Sequence, residues 1–390
     1  MNDAEWKACA ETFARLGGIA DAALDPQSAQ LAADVHHNVL KAIFGVYPTV
    51  FQADARYPQF VSNLNSIWPA AATNPDTMYS GAKIDGQGVY RISGRRGSVR
   101  YADFQPSLLR RATDAPGPAL APVKINDLTV DKNGLFSFIW SAERPKGYDG
   151  DWYHLDPGVG QILVRQVAYD WVNEVDASFA IERLDVHESK PRLTPSEIYG
   201  NFQQVLGAGE QRARLFMSWI DVLKTKGAVN RVERANYGAM GGIKGQEYYE
   251  AICEIEADEA LVVESRIPQE CFYWSIHLWD LLFNSIDYMH RQSSLNGHTA
   301  YVTPDGMAQV VVSEQDPGVR NWLDIRDFRH QAGVTWRWMD CPDGAPPTIR
   351  KVKLAALRDE LAPGTPEFSA QQRFEQRSAR ARGAQLRRKW

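Results

Sequence analysis

The stretch Thr299–Ser313, TAYVTPDGMAQVVVS, carries the clearest strand signal in this 390-residue chain. Two short runs, Thr299–Val302 and Ala308–Ser313, flank the pair Asp305-Gly306, and Asp-Gly between such runs is a strong hairpin signal. Similar runs of β-branched and aromatic residues recur on both sides of this stretch, with turn residues between them. The repetition favours a β-sandwich or jelly roll over a parallel α/β sheet.

Strands of this kind are predicted in two parts of the chain. Those of the first part are Val89–Ile92, Ser98–Phe104, Leu135–Trp140, Gln161–Tyr169 and Ser178–Leu184, with a hairpin turn at Gly94–Gly97. Those of the second part, besides the opening pair, are Tyr248–Glu256, Ala260–Ile267, Cys271–Leu278 and Val334–Met339. The glycine-rich segment Tyr237–Gly245 matches neither a dinucleotide fingerprint nor a P-loop and is interpreted as a loop.

Helical patterns lie before, between and after the two β-rich parts. Apolar residues from Trp6 to Ile19 recur at three- and four-residue steps, and a second helix is predicted to end at Pro48. The capping box Thr194–Glu197 starts a helix that is predicted to break at Gly207–Gly209 and to resume from Gln211. The tail is basic, and its end is predicted to be a terminal helix, either docked or solvated, or else an anchor on an anionic partner.

These patterns predict a mainly β fold with helical additions (α+β). The predicted regions are an N-terminal helical region (1–66), a first β-rich region (67–190), a helical insertion (191–235), a second, jelly-roll-like β-rich region (236–345) and a basic helical tail (346–390).

Composition excludes several classes of function. The formal net charge of −5 does not suit a nucleic-acid-binding protein, and no apolar run is long enough to predict a membrane span. The N-terminus has acidic residues early and lacks the pattern of a signal peptide. Four scattered cysteines without CxxC spacing suit a reducing compartment, so a cytoplasmic location is expected.

No cofactor is predicted. The chain contains no GxGxxG fingerprint after a strand, which disfavours a nicotinamide or flavin cofactor. Its eight histidines lack HxH, HxxxH or HExxH spacing, so no metal site is predicted, although a dispersed one stays open. A GxSxG nucleophile motif is also absent.

Three segments together resemble a known family. They are Asn74–Tyr79 with the following GVYRISGRRGSVRY, then Asp258–Asn296, and then Asp305–Asp324. The combination resembles bacterial proteins with the domain of unknown function number 1214, some of which are fused to the domain of unknown function number 1254. The resemblance covers about residues 70 to 360 and implies jelly-roll-like β domains, but it implies no catalytic residues.

The most specific of these segments, Asp316–Asp324 (DPGVRNWLD), is the first candidate site. Asp316–Gly318 is typical of a turn. In an extended strand Arg320, Trp322 and Asp324 share one face and Asn321 takes the other. Such a set can bind a polar group of an apolar ligand, with Arg320 as a catalytic or anchoring residue, or it can form an internal Arg320–Asp324 pair.

Two further clusters complete the predicted site. In the strand around His277, Tyr273 shares the face of His277, which is predicted to act as an acid or base, and Trp274 takes the other face. The segment Asp287–Arg291 follows, and its Tyr288 and Arg291 are predicted to contact substrate beside Tyr273 and Trp274. A structural role is the alternative for each.

The N-terminal cluster contains Asn74, Asp76 and Tyr79. Asn-Pro-Asp is first of all a turn signal. Its place before a strand also allows Asp76 and Tyr79 to lie at the open end of a barrel, as a general base and a proton donor.

Two functions are compatible with these patterns. The first is an enzyme that acts on a small, largely apolar or aromatic metabolite by cofactor-independent acid–base chemistry of lyase or hydrolase type, at a site between the β-rich regions. The alternative is a non-catalytic ligand-binding or assembly protein, and a homo-oligomer is possible in either case.

Overall fold

A computed structural model describes residues 2–19, 29–62, 64–110, 115–237, 242–243, 245–330 and 332–387. Among these residues the α-helices are α1 (Asp3–Leu16), α2 (Ala29–Tyr47), α3 (Pro195–Thr225), α4 (Leu357–Glu360) and α5 (Ala370–Arg387). The strands are β1 (Val61–Ser62), β2 (Thr77–Lys83), β3 (Tyr90–Arg95), β4 (Tyr101–Arg110), β5 (Ala115–Ala119), β6 (Val123–Lys124), β7 (Leu135–Ser141), β8 (Asp151–His154), β9 (Val159–Val167), β10 (Ser178–Arg183), β11 (Glu233–Ala235), β12 (Gln246–Cys253), β13 (Glu259–Arg266), β14 (Tyr273–Asp280), β15 (Ser294–Asn296), β16 (Met307–Ser313), β17 (Trp322–Asp324), β18 (Ala332–Met339) and β19 (Thr348–Lys353).

The first ten strands form one β-sandwich. One sheet has the order β1-β2-β9-β4-β5, with β6 also paired to β4, and the other has the order β10-β3-β7-β8. Side chains alternate between the two faces of a strand. Phe104 and Val164 of the first sheet therefore point inwards with Ile92 and Phe138 of the second, and all four are buried in one core.

The remaining strands form a second sandwich. Its sheets have the orders β11-β12-β18-β14-β15 and β17-β16-β13-β19. Trp274 pairs with Trp338 across β14 and β18, and both indoles are buried against Val263 and Val310 of the facing sheet. The mainly β class with helical additions and sandwich-like sheets is therefore confirmed, while a jelly-roll topology stays a prediction.

The two sandwiches face each other through one sheet of each. Tyr101 and Val167 of the first sandwich pack with Tyr273 and Met339 of the second in a small buried cluster. The alternation of side chains thus gives β4, β9, β14 and β18 two buried faces, one in a sandwich core and one between the sandwiches.

The helical insertion is a single helix and not two. α3 runs without a break from Pro195 to Thr225 and begins with the predicted capping box at Thr194. The predicted break at Gly207–Gly209 is wrong because packing decides the role of Gly209. A Cβ atom there would lie 2.9 Å from the Ile43 side chain of α2, so the glycine allows α2 and α3 to approach closely.

Two local predictions near turns are also wrong. β3 and β4 lie in different sheets, so Gly94–Gly97 is not a hairpin turn. Gly97 has a φ of +64°, and a Cβ there would lie 2.2 Å from the Val175 carbonyl oxygen, which explains the glycine at this crossing. The run Thr299–Val302 is not a strand. The Asp305-Gly306 turn therefore leads into β16 but does not connect two strands of a hairpin.

The N-terminal helices end earlier than the predicted boundary at residue 66. A π-helical turn, Pro48–Gln52, follows α2, and the chain then extends to β1. The predicted loop at Tyr237–Gly245 and the end of the predicted tail helix fall partly on residues 238–241, 244 and 388–390, which lie outside the described residues.

A disulfide joins Cys271 and Cys341, which are 70 residues apart in sequence. Disulfides are typical of oxidising compartments, so the bond weighs against the expected reducing environment. Cys9 and Cys253 are buried free thiols. No helix among the described residues combines the length and the apolar character that a membrane span requires.

Candidate functional site

The outward faces of the two facing sheets carry a set of buried polar side chains. We call this set the inter-sandwich cluster. Its buried members are Asp76, Tyr101, Asp103, Arg165, Tyr273, His277 and Arg337, and the half-buried Tyr248 also belongs to it. Buried ionisable groups are costly unless paired, and they concentrate at functional sites, so the cluster is the first place to look for chemistry.

Asp103 and Arg165 form the first-sandwich side of the cluster. The guanidinium of Arg165 lies 3.8 Å from Asp103 Oδ2, and it also donates to Gln105 Oε1. The Tyr101 hydroxyl donates to Asp103 Oδ2 at 3.0 Å, whereas Asp103 Oδ1 accepts no hydrogen bond from any described residue. Burial raises the pKa of the Asp103 carboxyl, and the charge of Arg165 opposes that rise only in part.

Arg337 forms the second-sandwich side. One of its nitrogens lies 2.7 Å from His277 Nδ1, and another donates to the Ala72 carbonyl at 2.6 Å. Both partners are uncharged. No carboxylate of the described chain lies within ion-pair distance of this buried guanidinium. Arg337 is thus a buried cation held mainly by neutral groups.

His277 does not have the freedom that an acid–base role requires. Its Nε2 lies 3.1 Å from the Ala72 carbonyl and its Nδ1 faces Arg337. Because Nε2 donates to the carbonyl, Nδ1 accepts from the guanidinium, and both ring nitrogens are occupied. Burial and the charge of Arg337 lower the pKa of His277, so it stays neutral and orients Arg337.

Asp76 lies at the junction of the two sandwiches and not at an open end of a barrel. Its Oδ1 accepts hydrogen bonds from Trp171 and Asn296, both at 2.8 Å, and its Oδ2 accepts from Tyr273 at 2.7 Å. Burial raises the pKa of the Asp76 carboxyl, while the three donors act in the opposite direction. With its carboxylate oxygens occupied, Asp76 ties the sandwiches together.

Tyr248 and Tyr79 lie beside the two arginines. The Arg337 guanidinium is 5.5 Å from the centre of the Tyr248 ring. Burial raises the pKa of the Tyr248 phenol, and the positive charges of Arg337 and Arg165 oppose that rise. Tyr79 also acts on Tyr248 electrostatically and is only half-buried.

The segment Asp316–Asp324 lies elsewhere and binds α5. Arg373 of α5 donates to both oxygens of Asp316, at 3.0 and 3.3 Å, and its guanidinium lies 5.0 Å from the Trp322 ring. Trp322 is buried and donates to the Ser313 hydroxyl at 3.0 Å. We call Asp316–Asp324 the helix socket.

The other polar residues of the helix socket are likewise occupied by the protein itself. Asn321 bonds the backbone of Tyr301 in both directions, and Arg320 donates to the Thr299 carbonyl at 3.0 Å. Arg320 and Asn321 line a cavity of about 10 Å³, which holds about one water molecule. Asp324 lies 3.6 Å from Arg291, so the predicted internal pair with Arg320 is replaced by one with Arg291.

Trp274 and Tyr288, which were also predicted to contact substrate, do not lie beside Arg165 or Arg337. Trp274 stacks on Trp336 in the core of the second sandwich, with ring centres 5.0 Å apart. Tyr288 is half-buried and packs edge-on against Trp171. The structure therefore brings Asp76 and Tyr273 together, with His277 further along the same face of β14, and Tyr288 shares the contact with Trp171 that Asp76 makes. It places Trp274 on the other face of β14, and it separates Arg320, Asn321, Trp322, Asp324 and Arg291 from Asp76 and Tyr273.

Sequence reasoning missed Asp103, Arg165, Tyr248 and Arg337. A usable signal was present: Arg165 lies inside QILVRQVAY and Arg337 inside VTWRWM, each a charged residue in the middle of an apolar strand. A charge in such a position marks either an ion pair or a site, because isolated buried charges are strongly unfavourable.

The described part of the chain contains no group of three or more His, Cys, Asp or Glu side chains arranged to hold a metal ion.

Comparison with known proteins places the fold but not an activity. No family model matches the chain, and no curated protein matches it. A crystal structure of a putative uncharacterized protein from Burkholderia cenocepacia is similar at 28% identity with a TM-score of 0.81, over 90% of this chain and 97% of that one. The VPA0106 protein from Vibrio parahaemolyticus aligns at 13% identity over 82% of this chain and 98% of that one, with a TM-score of 0.47.

Proposed function

We propose that this chain is an enzyme that acts on a small, largely apolar or aromatic molecule by cofactor-independent acid–base chemistry, and that the molecule is bound between the two sandwiches through an anionic group. The observation that carries the proposal is Arg337, a buried guanidinium whose hydrogen-bond partners, His277 and the Ala72 carbonyl, are both neutral. A bound carboxylate or phosphate would give this guanidinium a charged hydrogen-bond partner.

Arg165 supports the same binding mode from the facing sheet. It is buried on β9, and its charge reaches Tyr248 together with that of Arg337. Two cations that both act on one phenol form a recognition site for an anion that carries an apolar or aromatic body. Tyr248 and Tyr79 would contact that body.

Asp103 is the proposed acid. Because burial raises its pKa, the carboxyl retains its proton to a higher pH than an exposed aspartate does. It can donate that proton to a leaving oxygen, and the resulting carboxylate can then take a proton from water or from a carbon next to a carbonyl group. The Tyr101 hydroxyl, 3.0 Å from Oδ2, stabilises the carboxylate after transfer.

Binding is tested first, with a panel of small acids. Benzoate, phenylacetate, succinate and phenyl phosphate are titrated into the protein by calorimetry, with benzyl alcohol as an uncharged analogue. We expect at least one aromatic acid to bind and the alcohol to bind at least about tenfold more weakly, which corresponds to one charge-assisted contact. Binding that is equal for acid and alcohol would contradict the anionic requirement.

Catalysis is tested separately on the acids, esters and hydroxy acids that bind. Product formation is followed by NMR with the wild-type protein and with Asp103→Asn. An enzyme loses turnover in Asp103→Asn by about 10²–10⁴-fold while affinity changes little. Tight binding without turnover of any compound in the wild type would favour the non-catalytic ligand-binding alternative.

A further inference from the structure

The C-terminal helix contacts both sandwiches through three arginines. Arg373, Arg380 and Arg387 are spaced by seven residues on α5, and residues seven apart lie on one face of a helix, two turns from each other. This face of the helix spans the distance between the sandwiches, since each arginine reaches a different part of the fold.

The first arginine holds the second sandwich. Arg373 is buried in the helix socket, where Asp316 accepts from it through both oxygens and the Val319 carbonyl accepts a further hydrogen bond at 2.5 Å. The phenyl ring of Phe368, just before the helix, lies 4.6 Å from the same guanidinium.

The second arginine lies where the sandwiches meet. Arg380 donates to the Ser294 carbonyl of β15 at 3.1 Å, and also to the Tyr288 carbonyl and the Ser294 hydroxyl. Its guanidinium lies 4.6 Å from the Trp171 ring, which belongs to the chain after β9. The same Trp171 donates to Asp76, so Arg380 is adjacent to the junction of the sandwiches.

The third arginine holds the first sandwich. Arg387 forms a bidentate pair with Asp176, at 3.1 and 3.0 Å, and both side chains are buried. It also donates to the Asp76 carbonyl at 3.0 Å. A Cβ at Gly383 would lie 2.8 Å from Trp171 Cβ, so the glycine lets the helix lie directly against the first sandwich.

We infer that α5 is a strap that fixes the two sandwiches relative to each other, and that release of its Arg380–Arg387 end lets them separate at the inter-sandwich cluster. Each sandwich has its own core, and no core cluster among the described residues other than the small one around Tyr101 and Tyr273 joins the two facing sheets. The strap adds three arginine contacts to the direct contacts across the junction, which include the hydrogen bonds of Asp76 with Tyr273 and Asn296. The inference does not depend on the proposed enzymatic function.

The test compares Arg380→Met/Arg387→Met with Arg382→Met in the full-length protein. Arg382 lies on the same helix, is exposed, and receives the same substitution. Hydrogen exchange of residues 370–387 reports release of the strap. Separation of the sandwiches is measured as the distance between two spin labels. The labels are attached at Lys132→Cys, in a turn of the first sandwich, and at Ala355→Cys, beside β19 of the second. The two native free thiols are buried and so are protected from labelling.

We expect amide exchange over residues 370–387 to be at least about 100-fold faster in the double variant, because the buried Arg387–Asp176 pair and its two hydrogen bonds are lost. We also expect a broader distribution of distances between the labels. Arg382→Met should change neither measurement. If the double variant does not fold, Arg387→Lys replaces it, since lysine keeps the charge but loses the bidentate geometry, and it should accelerate exchange by about tenfold.

Two results would overturn the inference. Faster exchange with an unchanged distance distribution would show that the sandwiches hold their arrangement without the strap. Unchanged exchange in the variant would show that these arginines do not hold the helix.

Discussion

The helix socket and the inter-sandwich cluster contain the same kinds of residue but differ in how completely the protein satisfies them. In the socket, Arg373 faces Asp316, and Asn321 is bonded to backbone on its amide oxygen and nitrogen. In the cluster, Arg337 has neutral partners and Asp103 Oδ1 has no hydrogen bond from the described residues.

This difference separates a structural set from a candidate site. A polar set that is fully paired within the protein adds specificity to the fold and has little capacity left for a ligand. A buried cation without a carboxylate at ion-pair distance costs stability, which is expected where a protein keeps binding capacity. The comparison therefore assigns the socket to docking of α5 and supports the proposal that the cluster binds a ligand.

The largest expected effect is on stability, at the socket. Trp322→Ala should lower the free energy of unfolding by about 3–5 kcal/mol, because it removes a buried indole that packs under Arg373. Urea unfolding measures this loss, and Phe374→Ala on the exposed side of α5 serves as the control, with a change within about 0.5 kcal/mol. Ligand affinity of the folded protein should stay the same; a loss of binding would move the candidate site to the socket.

The next effect is on binding, at the cluster. Arg337→Met should weaken binding of an aromatic acid by about 100-fold, because truncating one partner of a buried charge contact costs about 2–5 kcal/mol. Calorimetry on Arg337→Met and on Arg91→Met compares a buried arginine with one whose side chain is 43% exposed. Equal affinities of the two variants would remove Arg337 from the site.

A smaller effect is expected where α5 meets Trp171. Gly383→Ala should lower the free energy of unfolding by about 1–3 kcal/mol, because the new methyl group meets the Trp171 backbone and Cβ and has no free space. Gly200→Ala is the matched control, since nothing lies within 4 Å of a Cβ at that helical position. The control should gain about 0.5–1 kcal/mol from the higher helix propensity of alanine. Stabilisation by both substitutions would contradict close docking of α5.

The pH dependence of stability gives the last prediction. The pKa of Asp103 is raised in the folded state above its ordinary value of 3.8, so between the two values the folded protein binds more protons than the unfolded chain. The free energy of unfolding therefore falls as the pH rises from about 4. Asp103→Asn removes this contribution, and its stability relative to wild type should increase with pH in urea unfolding at a series of pH values. A constant difference across that range would show that Asp103 titrates normally.

The sequence was sufficient for the class of fold and for most strands, because alternation and turn residues act locally. It was insufficient where packing at a distance decides. Gly209 resembles a helix breaker but permits the contact with Ile43, and Gly97 resembles a hairpin glycine but permits a crossing between sheets.

The site was predicted only in part for a related reason. Asp76, Tyr273 and His277 were identified from local motifs and all lie between the sandwiches, where Asp76 contacts Tyr273, but their own contacts occupy them. Arg165 and Arg337 sit in strands that look like ordinary core strands. Their common location depends on how two sandwiches face each other, which no local pattern records.

Hydrogen exchange with and without a saturating aromatic acid, the compound that binds most tightly in the panel, tests the central claim most directly. We expect added protection in Val159–Val167 and Ala332–Met339, the strands that carry Arg165 and Arg337. The helix socket at 316–324 should exchange at the same rate in both states. Protection confined to the socket, or none in either strand, would contradict the assignment of the inter-sandwich cluster as the ligand site.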